Sequence, residues 1–193
     1  MSHRRVVVTG MGIVSPIGNT LASAWDSIQA GRSGIGPITH FDASAYATRI
    51  AGEVRDFDAK SFLPPKDVKK MDTFIHYGLA ACFQAMDDAG LEVTEANAER
   101  IGAIVGAGIG GLLGIEEQTI EFHEGKKISP FYVPKTIINM LPGQLSIITG
   151  LKGPSFSAVQ MPEVIGRLLE VYVRCRIEGE RFVDTAQRLG VAG

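Results

Sequence analysis

Only two cysteines, Cys82 and Cys175, occur in the 193 residues. They lie too far apart for a CxxC metal or redox motif, and two are too few for a disulfide scaffold. No apolar run approaches the roughly 20 residues needed to cross a bilayer, so no membrane partner is expected. The N-terminus passes from Met1-Ser2-His3-Arg4-Arg5 straight into Val6-Val7-Val8, without the long apolar stretch of a secretory signal. Charge of one sign is lacking too: 19 Lys and Arg stand against 21 Asp and Glu, a formal net charge of −2. Bulk electrostatics therefore gives no reason to expect nucleic acid, and any basic patch must be local. There is no internal repeat and no low-complexity segment. These absences, with 45% hydrophobic and 21% charged residues, point to a cytoplasmic globular protein. Its length allows one domain, or one domain with an appendage, and is enough to bury a core.

Strand and helix signals alternate along the chain, which argues for an α/β layered domain. Residues 5–9 form a short β-branched run closed by Gly10-Met11-Gly12 and read as a buried strand. Asn19 or Thr20 caps a helix through Leu21, Trp25 and Ile28 that stops at Gly31. Residues 48–54 read weakly as a strand. The clearest helix covers 67–89: Met71, Phe74, Ile75, Leu79, Cys82, Phe83 and Met86 make one apolar face, and Gly90 ends it. Residues 101–105 give another strand, 135–149 an apolar buried stretch, and 155–159 a last strand.

Two glycine clusters invite a nucleotide-binding reading. Gly10-Met11-Gly12-Ile13-Val14-Ser15 begins like GxGxxG, but Ser15 stands where the third glycine belongs and Pro16 follows. Residues 106–111 follow a strand but have no acidic ribose partner at a clear position. Tight strand–helix turns account for both clusters more simply.

Taken together the motifs say more. Val7-Val8-Thr9-Gly10-Met11-Gly12-Ile13-Val14-Ser15-Pro16-Ile17-Gly18 resembles the opening of bacterial β-ketoacyl-acyl-carrier-protein synthases. So do Lys70-Met71-Asp72, Gly106-Ala107-Gly108-Ile109-Gly110-Gly111, Ile128-Ser129-Pro130-Phe131 and Gly153-Pro154-Ser155. The set is most similar to the elongating type, synthase II, from about residue 4 to residue 159. The resemblance implies the first half of a thiolase-like fold. It also implies descent from fatty-acid elongation, a decarboxylating Claisen condensation of an acyl chain with malonyl-carrier that needs neither metal nor cofactor.

The family attacks with a cysteine and uses two histidines for decarboxylation and condensation. Its thiolate sits at a helix N-terminus, where the dipole lowers the thiol pKa. After the Ser-Ala-Val strand the family continues Ser-Ala-Cys-Ala-Thr-Ser. This chain continues Gln160-Met161-Pro162-Glu163, with Pro162 in the nucleophile's place. His40, His76 and His123 do not match the catalytic histidine motifs and read as surface or packing residues. Cys175 lies mid-helix between Arg174 and Arg176 without a strand–turn–helix setting, and Cys82 falls on an apolar helix face. No catalytic residue and no metal ligand is assigned.

Binding positions remain. Lys66, Lys69 and Lys70 fall at i, i+3 and i+4 and put three ammonium groups on one helix face. The resemblance matches them to a basic patch that receives the acidic acyl carrier protein, and Lys126 and Lys127 to a second patch. An ordinary solvated face is the competing reading, although three lysines in a first helical turn oppose the helix dipole at a small cost. Ile109 and Tyr132 match positions lining the acyl pocket and its dimer-mate contact; taken alone they read as core. In the family the strand matching 155–159 pairs with its copy across a dimer axis, so a homodimer is expected.

The segment 160–193 has a different character. Pro162 opens a helix with an apolar stripe of Val164, Ile165, Leu168, Leu169, Tyr172 and Val173, Gly179 stops it, and a second short helix follows. Residues 178–190 weakly resemble the C-terminal helices of sulfite and nitrite reductase haemoproteins, without their cysteine motifs. The expectation is therefore a half-domain at 1–159 with an unrelated helical-hairpin tail at 160–193: a truncated or chimeric synthase, inactive alone. The alternatives are a non-catalytic carrier-binding or dimerisation module and, further off, a nucleotide-binding domain.

Overall fold

The computed structural model describes residues 6–157 and, in the tail, positions 166, 167, 170, 173–175, 177 and 188. Helix α1 (Leu21–Gln29) starts where the sequence places it. Thr20 and Ser23 form a capping box, each hydroxyl accepting the other's backbone N–H at 3.2 Å. Its inner face is not the Trp25–Ile28 stripe, since both of those side chains are exposed. Ala24 and Ser27 are buried instead. The Ser27 hydroxyl, 2.7 Å from the Ile17 carbonyl, ties the helix to the 15–18 turn, a close approach that only small side chains allow.

Strands β1 (Ile35–Pro37) and β2 (Ile50–Gly52) pair antiparallel, Ile35 opposite Gly52. The helix expected over 67–89 divides in two: α2 (Pro65–Val68), opened by Pro65, and α3 (Thr73–Asp88). The break falls at Asp72, whose extended backbone (φ −82°, ψ 162°) restarts the helix as an N-cap. Gly90, at φ +59°, ends α3. Strand β3 (Ala103–Val105) is followed by α4 (Leu112–His123), α5 (Tyr132–Thr136) and α6 (Met140–Thr149), which Gly150 closes in the left-handed region. Strand β4 (Ser155–Ser157) lies parallel to β3, Ile104 opposite Phe156.

The core lies where α3 crosses α6 over one face of the β3–β4 pair. Ile75 and Leu79 of α3, Leu141 and Leu145 of α6, Ala103, Leu63, Met71 and Leu151 are buried together. Gly78 allows the close crossing, since a Cβ there would run into the Leu141 side chain. The expected apolar face of α3 is thus realised. The apolar stretch 135–149 is buried on one side only, because Ile147 and Ile148 face outward.

The N-terminal run departs from expectation. Residues 6–14 form no strand, and Val6, Val7 and Val8 are exposed, Val6 at 96%. The run lies along α3 instead of beside a strand. Gly10 and Gly12 sit directly on the Ala85 and Ala81 carbonyls of α3, with no room for a Cβ. Met11 N donates to Asp88 Oδ2 (2.9 Å) and Ile13 N to Gln84 Oε1 (3.4 Å). Helix side chains thus take backbone donors that a ladder would have used, and the valines have no sheet layer to enter. Of the tail, positions 166, 167, 170, 173–175 and 188 are helical; the expected hairpin as a whole lies outside the described residues.

Candidate functional site

Lys66, Lys69 and Lys70 do not share a helix face. The division of the helix places Lys66 inside α2, Lys69 at its C-cap and Lys70 in the turn before α3, all three exposed. The basic group thus stands at the C-terminal end of α2, the favourable end for a cation, and the dipole cost expected for a first turn does not arise in that form. Lys70 Nζ bonds Asp67 Oδ1 at 2.9 Å, and this bond with the neighbouring ammonium charges holds the Asp67 carboxyl below the usual carboxylate range. Lys66 and Lys69 form no ion pair among the described residues. Buried Met71 fixes the turn to the core.

The second lysine pair has other surroundings. Lys126 Nζ lies 3.1 Å from Glu124 and 3.5 Å from Glu121, in a shallow groove that Glu117 and Ile120 also line. Its charge is spent locally, while the neighbouring Lys127 is exposed and outside these pairs.

Between the two lysine groups lies a narrower cleft of about 150 Å³ lined by Lys69, Gly114, Gln118, Ser129, Tyr132 and Lys135, with Glu117, Glu121 and Phe131 at its sides. Gln118 is buried and organises it, its Oε1 accepting from Ser129 N at 2.8 Å. Tyr132 is half-buried here. Ile109 is 68% exposed and is not core. It projects from the loop between β3 and α4, which Gly111 N anchors to the Thr136 carbonyl (2.9 Å) and Gly110 turns at φ +84°.

Gln118 was not singled out from sequence, and Asp72 only as a member of the Lys70-Met71-Asp72 motif. Asp72 is 7% exposed, and its carboxylate lies against the first turn of α4, where a Cβ at Gly111 or Gly114 would meet Oδ2 at 2.8 and 2.6 Å. The Gly111 and Gly114 spacing was the available signal: two residues without side chains on one side of a helix start make room for a neighbour. This bears on nucleotide binding. The helix N-terminus after the second glycine cluster already faces a carboxylate, and the first cluster lies on the side of α3, so neither offers a phosphate the bare helix N-terminus it requires.

His76 is half-buried, with Nε2 3.1 Å from the Val68 carbonyl. Burial lowers its imidazole pKa, the Val68 carbonyl and Asp72 raise it, and Lys135 lowers it further, for a net downward shift. It acts as a packing residue joining α3 to α2. Cys82 packs against the core, and burial pushes its thiol up, away from the thiolate a nucleophile requires. Cys175 lies at a helical position of the tail and its carbonyl accepts from the Arg188 guanidinium at 2.6 Å. Among the described residues no group of three His, Cys, Asp or Glu stands close enough to hold a metal, and no helix is long and apolar enough to cross a membrane.

The family model described as beta-ketoacyl synthase, N-terminal domain, matches residues 3–160. The chain is 54% identical over 159 residues to 3-oxoacyl-[acyl-carrier-protein] synthase 2 of Vibrio harveyi, covering 81% of this chain and 38% of that protein. To the synthase 2 of Coxiella burnetii it is 47% identical over 161 residues, 82% of this chain and 39% of the other. The fold is that of thiolase-like ketosynthases. It matches the ishigamide ketosynthase/chain length factor with a TM-score of 0.67 at 27% identity, covering 81% of this chain and 40% of that one. A second match is AntDE:AntF, a ketosynthase with its acyl-carrier protein, at a TM-score of 0.65 and 26% identity, covering 89% and 47%. The chain thus spans less than half the length of the proteins it matches.

Proposed function

We propose, for a chain that belongs to the beta-ketoacyl synthase family, that it is the carrier-protein-docking and dimerising portion of a 3-oxoacyl-[acyl-carrier-protein] synthase of fatty-acid elongation, and that it does not carry out the condensation alone. The observation that carries this is the pair of exposed ammonium groups on Lys66 and Lys69, free of ion pairs among the described residues and mounted on a turn that Met71 pins to the core. An acidic carrier protein is the ligand such a site fits: attraction between exposed charges steers the encounter, with a range of about 8 Å at physiological salt. A ketosynthase of this fold in complex with its acyl-carrier protein supports the reading. Lys70 contributes less, since Asp67 already holds it. Lys127 is the active member of the second patch, and Lys126 is the weak one. Ile109 and Tyr132 serve the acyl pocket and its contact with a second copy, which pairs through the outer edge of β4.

Catalysis is set apart by the thiols. Cys82 is a core thiol and Pro162 occupies the nucleophile's position, so no acyl-enzyme forms. The end of the family match at residue 160 supports treating 160–193 as a separate tail beside a half-domain at 1–159.

The test titrates the chain with acidic acyl carrier protein by fluorescence anisotropy at low and high salt, beside a condensation assay with malonyl-carrier. The expected result is salt-sensitive binding without turnover, weakened about tenfold or more by Lys66→Glu with Lys69→Glu and little changed by Lys126→Ala. Binding indifferent to the double variant, or a stoichiometric acyl adduct on Cys82 or Cys175 by mass spectrometry, overturns the reading.

A further inference from the structure

Helix α4 carries its negative charge at the end that disfavours it. Carboxylates stabilise a helix N-terminus and oppose the dipole at the C-terminus, yet Glu121 lies in the last turn and Glu124 is the C-cap. Glu117 and Glu121 also repeat the same sign at i and i+4, a further small cost. The fold holds these groups in place all the same. Buried Gln118 donates from Nε2 to Glu121 Oε2 (3.3 Å) while its Oε1 accepts from Ser129 N (2.8 Å). Gly125, at φ +82°, closes α4 in a Schellman turn: its N–H donates to the Phe122 carbonyl and that of Lys126 to the Glu121 carbonyl, both at 3.0 Å. The turn brings Lys126 back over the helix end, where its ammonium lies 3.1 Å from Glu124 and 3.5 Å from Glu121.

The position of these carboxylates bears on binding more than on folding. Glu117 and Glu121 line both the shallow groove with Lys126 and the narrow cleft with Lys69 and Lys135, so they stand between the two lysine groups. In the shallow groove three carboxylates, Glu117, Glu121 and Glu124, meet the single ammonium of Lys126. An acidic surface seated on the Lys66–Lys69 turn therefore meets like charge as it extends over α4. Exposed ion pairs contribute little to stability. The field that an approaching partner feels is altered all the same, over a range of about 8 Å at physiological salt. Opposed like charges are the repulsive half of specificity.

We infer, building on the carrier docking proposed above, that Glu117, Glu121 and Glu124 form a carboxylate ridge that sets the specificity of this surface: it withholds Lys126 from an acidic partner and repels a continuous run of acid from the stretch between Lys69 and Lys126. The lysine turn supplies the attraction, and the ridge limits how far along α4 that attraction can be used.

The test titrates the full chain by fluorescence anisotropy, at low and high salt, against acyl carrier protein and against fluorescein-labelled decaglutamate, an acid run that needs no carrier fold. In Glu121→Gln with Glu124→Gln, binding of both probes at low salt should tighten about fivefold, the size expected from removing two like charges at close range, and the gain should vanish at high salt. Lys126→Ala, nearly silent in the wild type, should cost about threefold in that glutamine background, because its ammonium is then free to bind. Glu116→Gln removes the same charge from an exposed position of α4 that lines neither groove, and should change either affinity by less than about twofold. Where the double variant melts lower than the wild type, Glu124→Gln alone, which breaks the shorter pair, should keep about a twofold gain. A gain with decaglutamate while the carrier binds no variant removes the docking reading and supports the ridge. Unchanged or weaker binding of both probes in the glutamine variants overturns the ridge, and docking still stands if Lys66→Glu with Lys69→Glu releases the carrier. A gain matched by Glu116→Gln, or one that Lys126→Ala does not reduce, overturns the ridge as well.

Discussion

The inner face of α3 and the outer face of the β3–β4 pair carry similar side chains in opposite surroundings. Ile75 and Leu79 are fully buried against Leu141 and Leu145, while Ile104 stands in solvent one strand away. Hydropathy is the same in both places. What differs is whether a second layer exists to receive the side chain, and α6 provides it on one side only. Burial is thus a property of paired layers, and an apolar residue without its layer contributes little to stability.

The widest separation between the two faces should appear on truncation. Leu79→Ala removes methyl groups from a packed site and should cost about 3 kcal/mol, read from the denaturant midpoint. The equivalent Ile104→Ala should stay within about 0.5 kcal/mol. Equal costs would break the comparison.

A smaller effect tests how the N-terminal run is held. A Cβ at Gly12 meets the Ala81 backbone carbonyl of α3, which cannot move aside without bending the helix. Gly12→Ala should cost on the order of 2 kcal/mol and speed hydrogen exchange at Met11 and Ile13, whose N–H groups rest on Asp88 and Gln84. Unchanged exchange would show that the run is not held by that contact.

The smallest effect concerns pH. The His76 pKa is lowered from its ordinary value of 6.5 in the folded chain, so the unfolded chain takes up a proton first. The stability that His76 contributes as a neutral group is complete above pH 6.5 and falls as pH drops through that value toward the lowered folded one. Melting temperature should decline over this window in the wild type and less steeply in His76→Gln. Parallel curves would show that another group titrates there. The Glu53 carboxyl works lower on the scale. Bonds from Thr39 N, Thr39 Oγ1 and His40 N hold its pKa below 4.5, so its contribution is lost only as pH falls below that value.

Helix starts and stops were legible because they are local. The Thr20 cap and Gly31 and Gly90 after α1 and α3 act within one turn of the residues they govern. The apolar side of α3 was legible for the same reason, since a period of 3.6 residues is written in one segment. The strand at 101–105 could be read, but which of its faces would be covered could not. The basic turn was found by residue type and spacing, yet its true shape depends on Asp72, whose place against Gly111 and Gly114 joins segments about 40 residues apart.

The amino-acid sequence by itself determined the α/β alternation, the start of α1 and the ends of α1 and α3, the family and the lack of a cysteine directly after Ser157-Ala158-Val159, because each is set by residues near one another in the chain. Tertiary structure alone decided that Val6, Val7 and Val8 lie in solvent, that Trp25 and Ile28 face outward while Ser27 is buried, that Lys126 is ion-paired while Lys66 and Lys69 pair with no described residue, and that Ile104 is exposed. The physical reason is common to all four. Burial, ladder pairing and ion pairing require a second group brought from elsewhere in the chain, and only the packing of layers determines which groups arrive.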